Sequence, residues 1–544
     1  MLFTEVNVPT ELALSSGARR ADHSGVIVDV VFSGPGGRQW KVPAFWAGDA
    51  SFRVRFAPPA PGRYTWHSVC ADTADEGLHG KKGELEAAPY AGANQLFRRG
   101  RPGVAADKRS LTLGDGSPFF WLADTWWMGL CKRLSWPIDF RTLAADRVAK
   151  GFSVIQIIAG PYPDMAAFDE RGANEAGFPW EKDWSRINPS WYDLADLRIE
   201  YLVRCGLVPC IVGMWGYYLP QMGTERVKTH WRNLVARYAA WPVIFCLAGE
   251  GVMPYYLSEN KERDEKLQRK EWTEVARYVR GLDPYRNVLT IHPTQKGREQ
   301  VEDPSVIDLE MLQTGHGDRR SLANTMDTVV SCYRAQPRMP VIVSEVCYEG
   351  ISEGSRQEVQ RLMFWQSVLN GTAGHTYGAN GIWQLNTRER PYGPSPHGRA
   401  WGSTPWDEAS QLPGSGQLGL GRRLLERYRW WKFEPHPEWF DPHWNSAEHF
   451  QPSAAGIAGE VRVIYMPEVW EWPTARSLEE GVSYSAYLFD PASGREWPFG
   501  PVHPDANGDW KIMTRNGKEN AFPLFQDWVV VLEAKGARIA SARP

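Results

Sequence analysis

Apolar residues follow two rhythms along this chain. In the first stretch they alternate with polar residues, as in Phe52-Arg53-Val54-Arg55-Phe56 and Tyr64-Thr65-Trp66, between turn-forming runs at Gly34-Pro35-Gly36-Gly37 and 58–62. A period of two marks half-buried strands, so residues 1–91 are predicted to form a small β-sandwich. From about residue 94 the rhythm changes to apolar runs of strand length alternating with amphipathic helical stretches. The runs fall at 119–124, 154–159, 208–214, 243–249, 288–292, 307–312, 341–345 and 376–383. Helices are expected between them, at 140–150, 191–205, 225–239, 263–282, 322–334, 357–369 and 421–432. Eight β/α repeats predict a (β/α)8 TIM barrel over residues 92–437, because eight units favour closure over an open doubly wound sheet. Strands return at 461–465, 484–489, 510–513 and 528–532, with turn chemistry at Asp490-Pro491-Ala492-Ser493-Gly494, so residues 438–544 are expected to form a C-terminal β-sandwich.

Composition narrows the function. The 544 residues are 43% hydrophobic and 23% charged, which excludes wholesale disorder and fibrous repeats. Lys and Arg total 61 against 64 Asp and Glu, a net charge of −3, so no global positive field draws in nucleic acid or an anionic membrane. The aromatic content stands out, with 27 Trp, 20 Tyr and 21 Phe. Tryptophan offers a flat apolar face and one N–H donor, which suits sugar rings as well as protein cores. Seven scattered cysteines without any C-x-x-C pair read as buried free thiols. Met1 to Arg20 lacks a basic start followed by an apolar run, and no uncharged segment reaches the roughly 18 residues of a membrane helix. A cytoplasmic protein without signal peptide or membrane partner is expected, and homo-oligomerisation is left open.

In a β/α barrel the working residues lie where strands end. Two carboxylates stand at such positions, each after an otherwise apolar strand: Glu250 after the fourth run and Glu345 at the end of the seventh. A charge there is costly unless paired or used. Strands four and seven face each other across an eight-stranded barrel, so both carboxyls can address one bond, as glycoside hydrolysis requires. A separation of about 5–5.5 Å gives retention and one of about 6.5–9.5 Å inversion. Other strand ends supply a sugar-like lining: Asp124, Trp126, Trp127, Gln156, Trp215, Tyr217 with Tyr218, His292, Gln313, His316, Tyr348, Tyr377, Asn380 and Trp383. The insertion at 161–188, with Trp180 and Trp184, is placed to wall the site.

Three segments carry a family resemblance: Phe119-Phe120-Trp121-Leu122-Ala123-Asp124-Thr125, Glu345-Val346-Cys347-Tyr348-Glu349-Gly350, and Gly374-His375-Thr376-Tyr377-Gly378-Ala379-Asn380-Gly381-Ile382-Trp383-Gln384. Together they resemble the apiosidase-like glycoside hydrolases, over roughly residues 94–437. The flanking sandwiches resemble the immunoglobulin-like and terminal β-domains that accompany such barrels. The resemblance implies Glu345 as nucleophile, Glu250 as acid/base, and an exo-acting, retaining furanosidase; with no H-E-x-x-H motif or Cys/His cluster in the chain, no metal or cofactor is expected. Gly249-Glu250 stands where many retaining barrel glycosidases carry Asn-Glu.

Rival motifs are weaker. Gly350-Ile351-Ser352-Glu353-Gly354 matches G-x-S-x-G, but Ser352 lies seven residues past Glu345, in a loop, instead of at a strand's immediate end. A serine esterase built on Ser352 and a sugar-binding protein that has lost catalysis are the alternatives. Gly414-Ser415-Gly416-Gln417-Leu418-Gly419 matches G-x-G-x-x-G, yet no apolar strand precedes it, so it reads as a loop entering a helix. The charged stretch 259–274 reads as a solvated helix face.

Overall fold

The computed structural model describes residues 1–468, 473–512 and 522–539. Its centre is one eight-stranded parallel sheet. In chain order the strands are β1 (Trp121–Trp126), β2 (Val154–Ile158), β3 (Val208–Val212), β4 (Ile244–Cys246), β5 (Leu289–Thr290), β6 (Glu310–Gln313), β7 (Val341–Glu345) and β8 (Gly374–Tyr377). They pair in the order β5-β4-β3-β2-β1-β8-β7-β6. Both faces of these strands are covered, one by the barrel interior and one by helices, which is why they read as continuous apolar runs.

The barrel is nearly closed. Between β5 and β6 the ladder gives way to single bonds: Asp308 N donates to Leu289 O at 2.8 Å, and Thr290 Oγ1 donates to Leu309 O at 2.7 Å. This seam falls where the connection carries no α-helix, only the short turns Gly297–Gln300 and Pro304–Val306. The other connections hold α1 (Ile138–Lys150), α2 (Pro189–Arg204), α3 (Thr224–Tyr238), α4 (Lys261–Leu282), α5 (Ser321–Arg334) and α6 (Gln357–Val368), and α7 (Pro413–Leu425) follows β8.

Helix α7 departs from the expectation. It starts at Pro413 and ends at Leu425, with a separate turn at Trp430–Lys432, so the G-x-G-x-x-G segment lies within the helix instead of in a loop before it. Proline is favoured at a first helical turn, where no N–H is needed. The glycine there is steric: a Cβ on Gly419 would lie 1.9 Å from Lys150 O.

Before the barrel, a five-stranded and a three-stranded sheet enclose Val30, Phe32, Val54, Phe56, Tyr64 and Leu85. This region is tied to the barrel helices by charge. Arg55 Nη2 bonds Asp196 of α2 at 2.6 Å, Arg55 Nη1 bonds Arg237 O of α3 at 2.9 Å, and Arg232 of α3 pairs with Asp29. After the barrel, a six-stranded sheet holds Val461–Met466, Tyr484–Phe489 and Trp528–Ala534. The expected strand at 510–513 is seen as Trp510–Lys511, and Met513 lies outside the described residues. Arg361 of α6 anchors this sheet through Asp527, at 2.6 Å. Among the described residues all seven cysteines are unpaired, no helix is long and apolar enough to cross a membrane, and no His, Cys, Asp or Glu cluster could hold a metal ion.

Candidate active site

A cavity of about 200 Å³ opens at the C-terminal ends of the barrel strands. Glu250 and Glu345 both line it, with Gln313 between them. Gln313 Nε2 lies 3.1 Å from Glu250 Oε1 and 3.1 Å from Glu345 Oε1. Twice that bond, about 6 Å, is therefore the greatest separation those two oxygens can have. A register shift brings Gln313 there: Leu312 pairs with Val343, but Gln313 pairs with Glu345, so Ser344 is bulged out of the ladder. Ser344 Oγ donates to Leu312 O at 2.9 Å, and Gln156 Nε2 donates to Ser344 O at 3.0 Å, fixing the bulge from inside the barrel.

Glu250 sits past β4 with φ 44°, in the left-handed region that side chains other than glycine seldom adopt. The preceding Gly249 is required sterically, since a Cβ there would lie 2.1 Å from the Trp215 ring. That closeness places Trp215 Nε1 3.1 Å from Glu250 Oε2, to which it donates. Gly378 does the same for Tyr348, whose ring carbon would be 2.0 Å from a Cβ. Trp127 Nε1 donates to the Tyr348 hydroxyl at 3.0 Å, which leaves the hydroxyl proton for Glu345.

The two carboxyls are held in opposite states. Burial, then the charge of Glu345, pushes Glu250 up to about 8, against weaker opposition from its bonds to Gln313 and Trp215. Burial also pushes Glu345 up, but its hydrogen bond to His316 Nε2 at 2.8 Å, the histidine charge and the bond from Tyr348 outweigh it, so Glu345 is lowered. His292 Nε2 lies 3.5 Å from Glu345 Oε2, and burial lowers this imidazole to about 4, leaving it neutral at pH 7.

Eight of the residues singled out from sequence line the cavity together: Glu250, Glu345, Gln313 and His316 on one side, with the rings of Trp127, Trp215, Tyr348 and Trp383. His292 packs edge-on to Trp127 beneath them, with ring centroids 5.3 Å apart. Six others do not reach the cavity. Asp124 is fully buried in an ion pair with Arg147 Nε at 2.6 Å and also accepts from Trp126 Nε1 at 2.7 Å. Trp126 packs on Phe140 of α1, one residue out of phase with Trp127. Gln156 braces the bulge, and the Tyr217 hydroxyl donates to Met165 O at 2.9 Å. Tyr377 donates to Glu349 Oε2 at 2.6 Å, and Asn380 is buried beside the same loop, its N–H bonded to Glu349 O.

The insertion at 161–188 does wall the site, but through Pro163 and Asp164. Trp180 bonds His230 at 3.1 Å, and Trp184 packs on Phe168. Sequence reasoning missed Asp164, Met253, Tyr256, His397 and Trp401, all on loops beyond the strand ends. Their only signal was a shared position after barrel strands. Ser352, the esterase candidate, is exposed on a single turn, Ile351–Glu353, and has no histidine bonded to it among the described residues.

A barrel of this topology with paired acids in an aromatic-lined cavity at its C-terminal face defines a glycoside hydrolase, and the comparisons place it further. The family model described as "Apiosidase-like, catalytic domain" matches residues 105–432, and a domain of unknown function (DUF5060) matches residues 9–71. The chain belongs to the apiosidase-like family. Solved structures share the fold: a Bacteroides vulgatus protein assigned to the glycoside hydrolases is 15% identical with a TM-score of 0.72, covering 98% of this chain and 100% of its own. A glycoside hydrolase family 5 protein of the same organism is 20% identical with a TM-score of 0.64, over 80% of this chain and 93% of its own. No curated protein matches the chain.

Proposed function

We propose that this protein is a retaining, exo-acting furanosidase in which Glu345 is the nucleophile and Glu250 the acid/base. The observation that carries this reading is the single amide nitrogen of Gln313 bonded to both carboxyls. The bridge keeps one oxygen of each carboxyl within about 6 Å of the other, and donors splayed at about 120° on the nitrogen give about 5.4 Å for that pair, which supports the retaining spacing of about 5–5.5 Å over the roughly 6.5–9.5 Å of inversion.

In the first step Glu345 attacks the anomeric carbon while the bond to the departing oxygen breaks, and that oxygen takes the Glu250 proton. Forming the ester neutralises Glu345, so the carboxylate left on Glu250 no longer meets its repulsion. Glu250 then takes a proton from a water as that water attacks the anomeric carbon, and the ester C–O bond breaks, returning Glu345 as a carboxylate and Glu250 as the acid. Environments that push two carboxyls apart in this way assign acid and nucleophile. A cavity of about 200 Å³ lined by six Trp and Tyr rings supports attack on a terminal residue, and family membership supports a furanose such as apiose.

The test is a screen of nitrophenyl furanosides and pyranosides, with proton NMR of the first product anomer. Retention of configuration on a furanoside is expected, and the Glu345→Gln variant should be folded and inactive. Net inversion, or near-normal turnover by that variant, overturns the assignment.

A further inference from the structure

The cavity has a second face that takes no part in the steps above. It is assembled from three loops: Asp164 after β2, Tyr256 after β4, and His397 with Trp401 after β8. Asp164 is 9% exposed and, like Glu250, holds a left-handed backbone, with φ 54°. The Tyr256 hydroxyl donates to Asp164 Oδ1 at 2.8 Å. Tyr256 is itself wedged between Tyr217, 5.5 Å away between ring centroids, and His397, 4.8 Å away. His397 Nδ1 is held by Ser395 Oγ at 2.9 Å. A carboxyl this buried is normally matched by a cation, yet no Lys or Arg is among the residues lining the cavity, and the basic group beside Asp164 is the His397 imidazole. Burial works against ionisation of Asp164, and the Tyr256 hydroxyl, the nearby His397 ring, the Trp401 indole and the Ser395 hydroxyl work for it; an ionised carboxylate accepts at about four lone-pair positions, and these donors take only part of them. The remaining acceptor capacity faces a hollow whose other wall carries the reacting carboxyls.

We propose that Asp164 is a specificity-determining residue: its carboxylate, fixed by Tyr256, accepts hydrogen bonds from ring hydroxyls of an uncharged glycone held between the two faces of the cavity. This rests on the furanosidase reading above. A sugar lacking the recognised hydroxyl leaves Asp164 desolvated and unpaired, which is the arrangement that discriminates most strongly against deoxygenated analogues. A uronate in the same place meets three carboxyls.

The experiment measures kcat/KM of the wild type, Asp164→Ala, Asp164→Asn and Tyr256→Phe on the nitrophenyl pentofuranoside selected by the screen and on its singly deoxygenated derivatives. Hydrogen bonds to a charged group predict about 10- to 100-fold loss for Asp164→Ala on the parent. One deoxy derivative should be about equally poor for the wild type and lose nothing further on Asp164→Ala, while the other derivatives lose the full factor. Asp164→Asn and Tyr256→Phe should show intermediate losses confined to the same hydroxyl, with unchanged circular dichroism. Equal losses on every derivative, or wild-type kcat/KM in Asp164→Ala, overturn the proposal while leaving the carboxyl pair standing. Cleavage of no glycoside overturns both.

Discussion

Exchanging Glu345 for Gln removes a charge while keeping the side chain's shape, so it isolates the repulsion that helps keep Glu250 protonated. The two carboxyls are bridged by Gln313, with oxygens no more than about 6 Å apart. At that distance and an effective dielectric constant of about 20, the repulsion is about 3 kcal/mol. Dividing by 1.36 kcal/mol per pH unit gives about two units. Glu250 stands at about 8, raised first by burial and next by Glu345, so in Glu345→Gln its midpoint should fall to about 6, at this scale of interaction. Carboxyl carbon-13 NMR of glutamate-labelled protein measures this directly, with Glu250→Gln assigning the resonance. A midpoint unmoved in Glu345→Gln, or no glutamate titrating above pH 7 in the wild type, refutes the reasoning. The same state has a kinetic signature: kcat/KM should decline as pH rises through about 8, because the acid form is then lost. Its stability signature has the same sign. The folded protein keeps a proton that the unfolded chain releases above about 4.5, so this contribution is whole at low pH and lost as pH rises toward 8.

Three further variants probe separate parts of the structure. Glu250→Gln should slow cleavage of a poor leaving group by about 10²- to 10⁴-fold, and far less for a dinitrophenolate that needs no proton; equal losses on both would remove Glu250 from the acid role. Asp124→Asn leaves the fully buried Arg147 with Asp146 as its remaining carboxylate partner and should destabilise the barrel by about 1.5–3 kcal/mol in urea unfolding, whereas an unchanged midpoint would show the pair to be dispensable. Gly378→Ala should displace Tyr348 from Glu345 and lower kcat/KM by about 10²-fold with the fold retained, and a fully active variant would mean that the ring's placement is immaterial.

Strand ends made the centre of this site readable. Glu250 and Glu345 each interrupt an apolar run, and the fold gives such a residue only the barrel mouth to occupy. The same reasoning overreached at Asp124 and Gln156, which lie inside β1 and β2, and at Tyr377, which ends β8, because barrel strands also carry buried polar pairs that brace the barrel: Asp124 with Arg147, Gln156 with the Ser344 bulge, Tyr377 with Glu349. Trp126 and Trp127 could not be told apart by position, since one residue of phase sends one ring to α1 and the other to the cavity. Asp164, His397 and Trp401 left no periodic trace, being loop residues brought together only by closure of the barrel. The first turns of α7 were hidden by their glycines, whose poor helix propensity is overridden by close packing on Lys150.

Arg55 reaches out of the N-terminal sheets to Asp196 and Arg237 on two barrel helices. Excising those sheets would leave Asp196 with Arg237 alone to balance it, at 2.8 Å, and would take the Arg55 donor from the Arg237 carbonyl near the end of α3. The catalytic barrel is thus no detachable cassette. Its history should show the leading domain and α2 with α3 inherited together, and hybrids that exchange one without the other should accumulate as insoluble protein.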